Sequence, residues 1–295
     1  MNLHFIGVGK MGLPMAGHLA RQLAETGGTL TVSDPNPLRR RLAQDGGLNV
    51  VVDVAPDLAA AQLVFSSLPD DAALRSVASQ VAASAQPGTV YVDTSTVSLA
   101  ASRDAAATCA GAGVHYLRST VSGNNKMAEV AQLTVMASGP RPAYDVALPL
   151  LQALGPHQFY LGDGEQARLM KLVVNLMIVQ TSAMLAEALT LGRKGGLDWR
   201  DMWQVLTASA VASPIVKAKA IQLAERDFTP TFTVGQMIKD LDLILGAAAA
   251  SHVALPQTAA SLQLLHAAVA QGDGELDYAA IIKVVERSAA LGGLA

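Results

Sequence analysis

Lys171 and Asn175 are the two polar residues of LMKLVVNLMIV, a stretch that is otherwise apolar. Four residues apart on a helix, they share one face, one turn above the other. No Pro or Gly interrupts residues 165–191, so one long helix is predicted there. A lysine stripped of part of its water has its pKa lowered towards neutrality, where the amine can take or give a proton. Asn175 beside it can hold a substrate oxygen or orient the amine. The plainer reading is a lysine that snorkels its head to water along an apolar helix.

A second constellation lies near the N-terminus, in LHFIGVGKMGLPMAGHLA. Gly7, Gly9 and Gly12 form G-x-G-x-x-G after an apolar run and at the opening of a helical pattern. In that context the first glycine permits a tight turn, and the second lets the backbone approach a pyrophosphate. The third lets helix and strand pack closely. Free N–H groups and the dipole at the helix N-terminus favour the phosphates there. Asp34 closes the next apolar run, 22 residues after Gly12, near the spacing of an acid that binds ribose. Its carboxylate would accept from both ribose hydroxyls and repel a 2′-phosphate, which favours NAD over NADP. Arg39, Arg40 and Arg41 lie close by in sequence, so NADP stays possible, although a solvated helix face is their plain reading. The cofactor-binding candidates here are Gly7, Gly9, Lys10, Met11, Gly12 and Asp34.

A dinucleotide serves hydride transfer or is merely sensed. Carbonyl reduction needs a proton donor, and none of Tyr91, Tyr116, Tyr144, Tyr160 and Tyr278 has a lysine four residues on. A Tyr-x-x-x-Lys mechanism is therefore disfavoured, and Lys171 is the remaining candidate.

The elements that would position these groups change character midway. Candidate strands at residues 3–8, 30–33, 63–67, 90–93, 114–117 and 133–137 alternate with Ala-rich amphipathic stretches such as 13–25 and 72–84. That rhythm predicts an α/β fold, a Rossmann-type doubly wound parallel sheet with helices on both faces. After Gly162-Asp163-Gly164 the strand-like runs stop. Helices are predicted over 165–194, 199–209, 215–224, 233–251, 258–271 and 278–290. The expected organisation is a dinucleotide-binding domain over residues 1–162 and an all-helical substrate and oligomerisation domain over 163–295. Ligand clefts tend to form at such junctions.

Composition narrows the classes. Of 295 residues, 51% are hydrophobic and 15% charged, with net charge −3, which argues against disorder and against a basic nucleic-acid surface. One cysteine, Cys109, suits a reducing cytoplasm and leaves no intramolecular disulfide framework. The six histidines are scattered without metal-ligand spacing, so no metal site is expected. The most apolar window, 172–191, has the length of a membrane span, yet Asn175, Gln180 and Glu187 are expensive in lipid. A helix buried in a domain or dimer core is expected instead, giving a soluble homodimer or homotetramer.

The motifs together resemble the β-hydroxyacid dehydrogenase family, the group of 3-hydroxyisobutyrate dehydrogenase and tartronate semialdehyde reductase, over essentially the whole chain. FIGVGKMGLPMAGHL is similar to its N-terminal fingerprint, and SSLPD resembles its loop at the nicotinamide end. The resemblance implies that Leu68 and Pro69 lie against the cofactor and that Thr96, in VDTSTVS, contacts it. TVSGNNKMAEVAQLTVMASG resembles the substrate-binding motif, which implies carboxylate binding by Ser122 and Gly123, with Asn124 beside them. KLVVN then supplies Lys171 as the catalytic residue, with Asn175. FTPTFTVGQMIKDLDL resembles the late helix whose Lys239 reaches the cofactor site with support from Asp240. The activity implied is hydride transfer between a nicotinamide and a small β-hydroxyacid or its semialdehyde.

The chain departs from the family pattern at Arg118-Ser119-Thr120, where Asp-Ala-Pro is usual, and at Asn124, Asn125 and Ala131, where glycine is usual at 124 and 131. Arg118 and the two asparagines either read a larger or more polar acid or leave the substrate unaffected. Two rival functions remain: an imine reductase, against which Lys171 argues, and a dinucleotide-sensing scaffold without turnover.

Overall fold

The computed structural model describes residues 1–292. Along the N-terminal strands, alternate residues point to opposite faces of one sheet. Leu3, Phe5, Leu63, Phe65, Val90, Val92 and Leu117 enter one buried cluster, while Ile6, Val64, Tyr91 and Tyr116 enter another. The sheet comprises β1 (Asn2–Ile6), β2 (Thr29–Ser33), β3 (Asn49–Val50), β4 (Leu63–Ser66), β5 (Val90–Asp93), β6 (His115–Ser122), β7 (Thr134–Ser138) and β8 (His157–Tyr160). Their order is β3-β2-β1-β4-β5-β6-β7-β8. Phe5 of β1 registers with Val32 on one side and Phe65 on the other.

All neighbouring pairs are parallel except β6 and β7. The exception has a simple cause. The connection between them, residues 123–133, is the shortest in the sheet and holds only a five-residue helix. It falls short of the dozen or more residues, usually with a full helix, that a parallel crossover requires.

Helices cover both faces: α1 (Gly12–Glu25), α2 (Pro37–Asp45), α3 (Ala55–Ala60), α4 (Asp71–Ser84), α5 (Leu99–Gly111), α6 (Asn125–Glu129) and α7 (Arg141–Gln152). Met15, Leu19 and Leu23 of α1 and Ala147 and Leu151 of α7 fill the first cluster. Leu74 and Val81 of α4 and Ala105 and Cys109 of α5 fill the second. Burying each Leu or Phe side chain stabilises the fold by about 1.5–3 kcal/mol. The doubly wound expectation is met, and all six expected strands are present. The short edge pieces β3 and β8 fall outside them, because neither shows a run of alternating apolar residues.

Among the described residues that follow, the named elements are helical, beside one isolated bridge between Thr233 and Asp277: α8 (Gln166–Lys194), α9 (Trp199–Ala208), α10 (Pro214–Ala224), α11 (Val234–Ala250), α12 (Pro256–Ala270) and α13 (Ile281–Ser288). They enclose their own core of residues such as Val179, Leu189, Trp203, Leu241 and Ile282. The helix expected over 278–290 begins instead as a 3-10 turn, Tyr278–Ala280, because the Asp277 carboxylate accepts the Ala279 N–H and sets a separate start. Packing divides the chain into two compact units, Met1–Lys171 and Leu172–Ala295, so the division falls inside α8, directly after Lys171.

Candidate active site

The glycine loop links β1 to α1, and each glycine is there for a different steric reason. Gly7 has φ +91°, and a Cβ on it would lie 2.4 Å from the Ser67 carbonyl oxygen. A Cβ on Gly12 would come within 1.9 Å of the Gly7 carbonyl oxygen, so β1 and α1 approach closely only because that atom is missing. Gly9 differs. A Cβ there would meet only the guanidine end of Arg39, at 3.6 Å or more, an ordinary contact with a flexible side chain and not with the backbone. Met11, the residue at the start of α1, offers no side-chain cap. The first N–H groups of the helix and its dipole therefore favour an anion.

Asp34, just after β2, is 5% exposed. Its Oδ2 accepts the Val8 N–H at 3.0 Å and its Oδ1 accepts the Asn36 N–H at 2.8 Å. A carboxylate offers about four lone-pair positions, so two remain for ribose hydroxyls. Arg39 Nη1 is 3.7 Å from the carboxylate. Arg40 is turned inwards and donates to the Asp34 and Pro35 carbonyls. β1 pairs with β2 on one side and β4 on the other, which makes the C-terminal end of β1 the topological switch point where dinucleotides bind in such sheets. The uncapped helix, a Gly9 covered only by the movable Arg39 side chain and the spare acceptors of Asp34 together fit a nicotinamide dinucleotide.

The neighbouring strand ends carry the other cofactor candidates. Leu68 and Pro69 follow β4, and Thr96 follows β5; Leu68 and Thr96 are half-buried and Pro69 is exposed. The two loops are tied together, since the Leu68 N–H donates to Ser95 Oγ at 2.8 Å. Ser122 ends β6 half-buried. Gly123 has φ +136°, and a Cβ there would meet Leu133 Cδ2 at 2.7 Å. Asn124 caps α6, its Oδ1 accepting the Met127 N–H at 3.0 Å. Asn125 Oδ1 is buried and without a hydrogen-bond partner among the described residues. His18 of α1 bridges to this segment through Nε2, which lies 2.9 Å from the Ala128 carbonyl oxygen.

Lys171 is half-buried on α8, and Asn175, one turn on, is 5% exposed. Asn175 Nδ2 donates to Asp240 Oδ2 at 2.5 Å, and Lys239 Nζ of α11 lies 3.0 Å from Asp240 Oδ1. Asp240, itself 1% exposed, thus holds both Lys239 and Asn175. The resemblance gave Asp240 only the first of these partners. Its burial within an apolar helix was the available signal for the second.

A set of charges at the start of α8 also escaped sequence reasoning. Arg118, expected beside the anion pocket, instead forms an ion pair with Glu165, donates to Ser102 Oγ at 3.2 Å and lies over the Tyr116 ring. It sits four residues back along β6 from Ser122, about 13 Å away. Its guanidinium therefore belongs to the packing of α8. Arg168 is 1% exposed and forms an ion pair with Asp93. Burial opposes its charge, but Tyr116 and Asp93 more than offset this and hold its pKa above the ordinary arginine value. Burial pushes the Tyr116 phenol up, so it stays protonated.

A doubly wound sheet with a dinucleotide loop at its switch point, followed in sequence by a helical unit, defines a class: NAD(P)-dependent oxidoreductases. Comparison with known proteins narrows it. Residues 2–162 match the family pattern described as the NAD binding domain of 6-phosphogluconate dehydrogenase. Residues 165–285 match the one described as NAD-binding of NADP-dependent 3-hydroxyisobutyrate dehydrogenase. The 2-(hydroxymethyl)glutarate dehydrogenase of Eubacterium barkeri is 32% identical, over 97% of this chain and 95% of that protein. The solved Mycobacterium tuberculosis 3-hydroxyisobutyrate dehydrogenase with L-serine has a TM-score of 0.87 at 27% identity, over 96% of this chain and 98% of that one. An imine reductase from Pseudomonas sp. is more distant: it covers 96% of this chain and 98% of its own, at a TM-score of 0.61 and 21% identity, which shows the fold alone. The chain belongs to the β-hydroxyacid dehydrogenase family and is an NAD(P)-dependent oxidoreductase acting on a CH–OH group. The sensing-scaffold alternative is thereby set aside.

Proposed function

We propose that the enzyme interconverts a small β-hydroxyacid of the 3-hydroxyisobutyrate type and its semialdehyde, with NAD preferred over NADP. The carrying observation is the pair on α8: a half-buried Lys171 beside Asn175, whose amide Asp240 fixes. The bound dinucleotide supplies the hydride acceptor for oxidation and the donor for reduction. Lys171 Nζ takes the hydroxyl proton in oxidation and returns one in reduction. Asn175 orients the reacting oxygen or the amine. Ser122, Gly123 and Asn124 bind the carboxylate through hydroxyl and N–H donors. Gly7, Gly9, Lys10, Met11 and Gly12 would hold the pyrophosphate of the dinucleotide, and Leu68, Pro69 and Thr96 would hold its nicotinamide end, with Lys239 a further cofactor candidate. Asp34 takes the ribose hydroxyls.

Replacing Lys171 with Ala is expected to cut kcat by about 10²–10⁴-fold while NAD affinity persists. Unchanged turnover would defeat the assignment. A panel of short hydroxyacids, semialdehydes and cyclic imines, run with both cofactors, fixes the substrate class. The family profiles meet near residues 162–165, which supports working domains of 1–162 and 163–295. The proposal includes a homodimer or homotetramer in the cytoplasm, without membrane or nucleic-acid partners. Met170, Val173, Met177, Met184 and Leu191 form an exposed apolar stripe along α8 that supports the oligomer, and sedimentation as a monomer alone would oppose it. The proposed compartment rests on the single cysteine, Cys109, which leaves no intramolecular disulfide framework.

A further inference from the structure

Arg168 is the largest fully buried side chain among the described residues, and no part of the assigned chemistry uses it. Taking a guanidinium and a carboxylate out of water is costly. A buried pair often contributes no more stability than well-packed apolar residues of similar volume would. In some proteins such a pair supplies a fixed register instead, and the contacts of Arg168 show what would be registered here.

Nη2 donates to Asp93 and, at 2.8 Å, to the Tyr116 hydroxyl; Nη1 donates to the Ser95 carbonyl, and Nε lies 3.3 Å from Ser102 Oγ. Asp93 Oδ1 in turn accepts from Ser66 Oγ and Ser95 Oγ, each at 2.6 Å. Ser95 Oγ accepts the Leu68 N–H. Through one guanidinium, the first turn of α8 is thus tied to the end of β4, which leads to Leu68, and to the end of β5, which leads to Thr96. Lys171 follows Arg168 by three residues, on the next turn of the same helix. Further ties hold the same turn: Thr120 Oγ1 donates to the Ala167 carbonyl at 3.0 Å, Ser138 Oγ accepts the Ala167 N–H at 3.0 Å, and Glu165 pairs with Arg118. These fix where the helix begins. Arg168 alone among them reaches the two loops that carry the nicotinamide-end candidates.

We propose that Arg168, acting through Asp93 and Ser95, is a positioning residue for Lys171: it fixes the helical phase at which the amine is presented relative to the Leu68 and Thr96 loops. This rests on Lys171 being the proton-transfer group. Lysine cannot replace it fully, because an ammonium lacks the planar fork that serves the carboxylate, the carbonyl and the phenol together.

The test uses the full-length enzyme and three variants. Arg168→Gln with Asp93→Asn removes both charges, so no lone buried ion remains to unfold the protein. Arg168→Lys keeps a cation beside Asp93. Lys171→Ala probes the underlying reading. The double variant is expected to fold and to bind NAD within about fivefold of wild type, with kcat about 10–100-fold lower and the pH profile of kcat displaced. Arg168→Lys is expected to fall between it and wild type in both kcat and pH profile. A folded double variant with wild-type kcat and an unmoved pH profile would overturn the proposal, showing the network to be structural only. Should the double variant fail to fold, wild-type kcat and pH profile in Arg168→Lys would overturn it equally. If Lys171→Ala keeps its turnover, the proton-transfer reading fails by itself, which is a different result from a silent Arg168 network.

Discussion

The loop from Gly7 to Gly12 and the charged cluster at the start of α8 occupy one compact unit, at the C-terminal ends of neighbouring strands, and are built in opposite ways. The loop works by what it lacks. Its backbone can turn and pack because Gly7 and Gly12 carry no Cβ, and Gly9 is the proposed place of the pyrophosphate. The cluster works by what it contains, with Arg118, Arg168, Asp93, Glu165, Tyr116 and three serines joined by ion pairs and hydrogen bonds in a largely buried space. Errors in the first are steric and immediate. Errors in the second are electrostatic, and pairwise replacement can mitigate them.

The hardest break falls on the glycine side and separates two of its members. Gly12→Ala places a methyl inside the contact radius of the Gly7 carbonyl, so stability is expected to drop by more than about 3 kcal/mol in chemical denaturation. Gly9→Ala meets only Arg39 at ordinary contact distance. It is expected to keep stability within about 1 kcal/mol while NAD affinity weakens by at least about tenfold. Undiminished NAD binding by Gly9→Ala would remove the pyrophosphate from that position.

Acid sharpens the contrast next, because the strand leading into the glycine loop holds a neutral group where the cluster holds ions. His4 on β1 is fully buried between Thr31 Oγ1 and Ser33 Oγ, and burial lowers its pKa from 6.5 to about 4. The folded state therefore disfavours the imidazolium. The stabilisation is complete above pH 6.5 and is lost as the pH falls towards 4, by about 3 kcal/mol. Comparing the pH dependence of unfolding in wild type and His4→Gln isolates this share. Identical slopes would show that His4 titrates normally. The smallest effect expected is on cofactor choice. Asp34→Ala should reduce the NAD-over-NADP ratio of kcat/KM by about tenfold, or about 1.4 kcal/mol, and an unaltered ratio would take Asp34 out of the discrimination.

The same contrast explains what could be read in advance. The glycine loop, Asp34 and the strand rhythm are local patterns, each contained in a few dozen residues. Lys171 and Asn175 stood out because two polar side chains at helical spacing are conspicuous in an apolar run. Arg168, directly before that run, did not declare its role, because Asp93 is 75 residues away. Arg118 invited a substrate-side reading for the same reason: Glu165, which takes its guanidinium, is 47 residues on. Asn175 and Asp240 are 65 apart, so the tie between them needed coordinates. The antiparallel β7 follows from the length of one connection, but only once Asn125–Glu129 is known to be a short helix.

Because the packing division falls after Lys171 and not at the Gly162-Asp163-Gly164 turn, the chain's modularity is offset from its most visible seam. A chimera spliced at that turn would carry its native Arg118 and Asp93 into a foreign helix lacking Glu165 and Arg168, stranding two ions in a sealed interior. Recombination that keeps residues 1–171 as one cassette, with the lysine as its last residue, would keep Arg118 with Glu165 and Arg168 with Asp93.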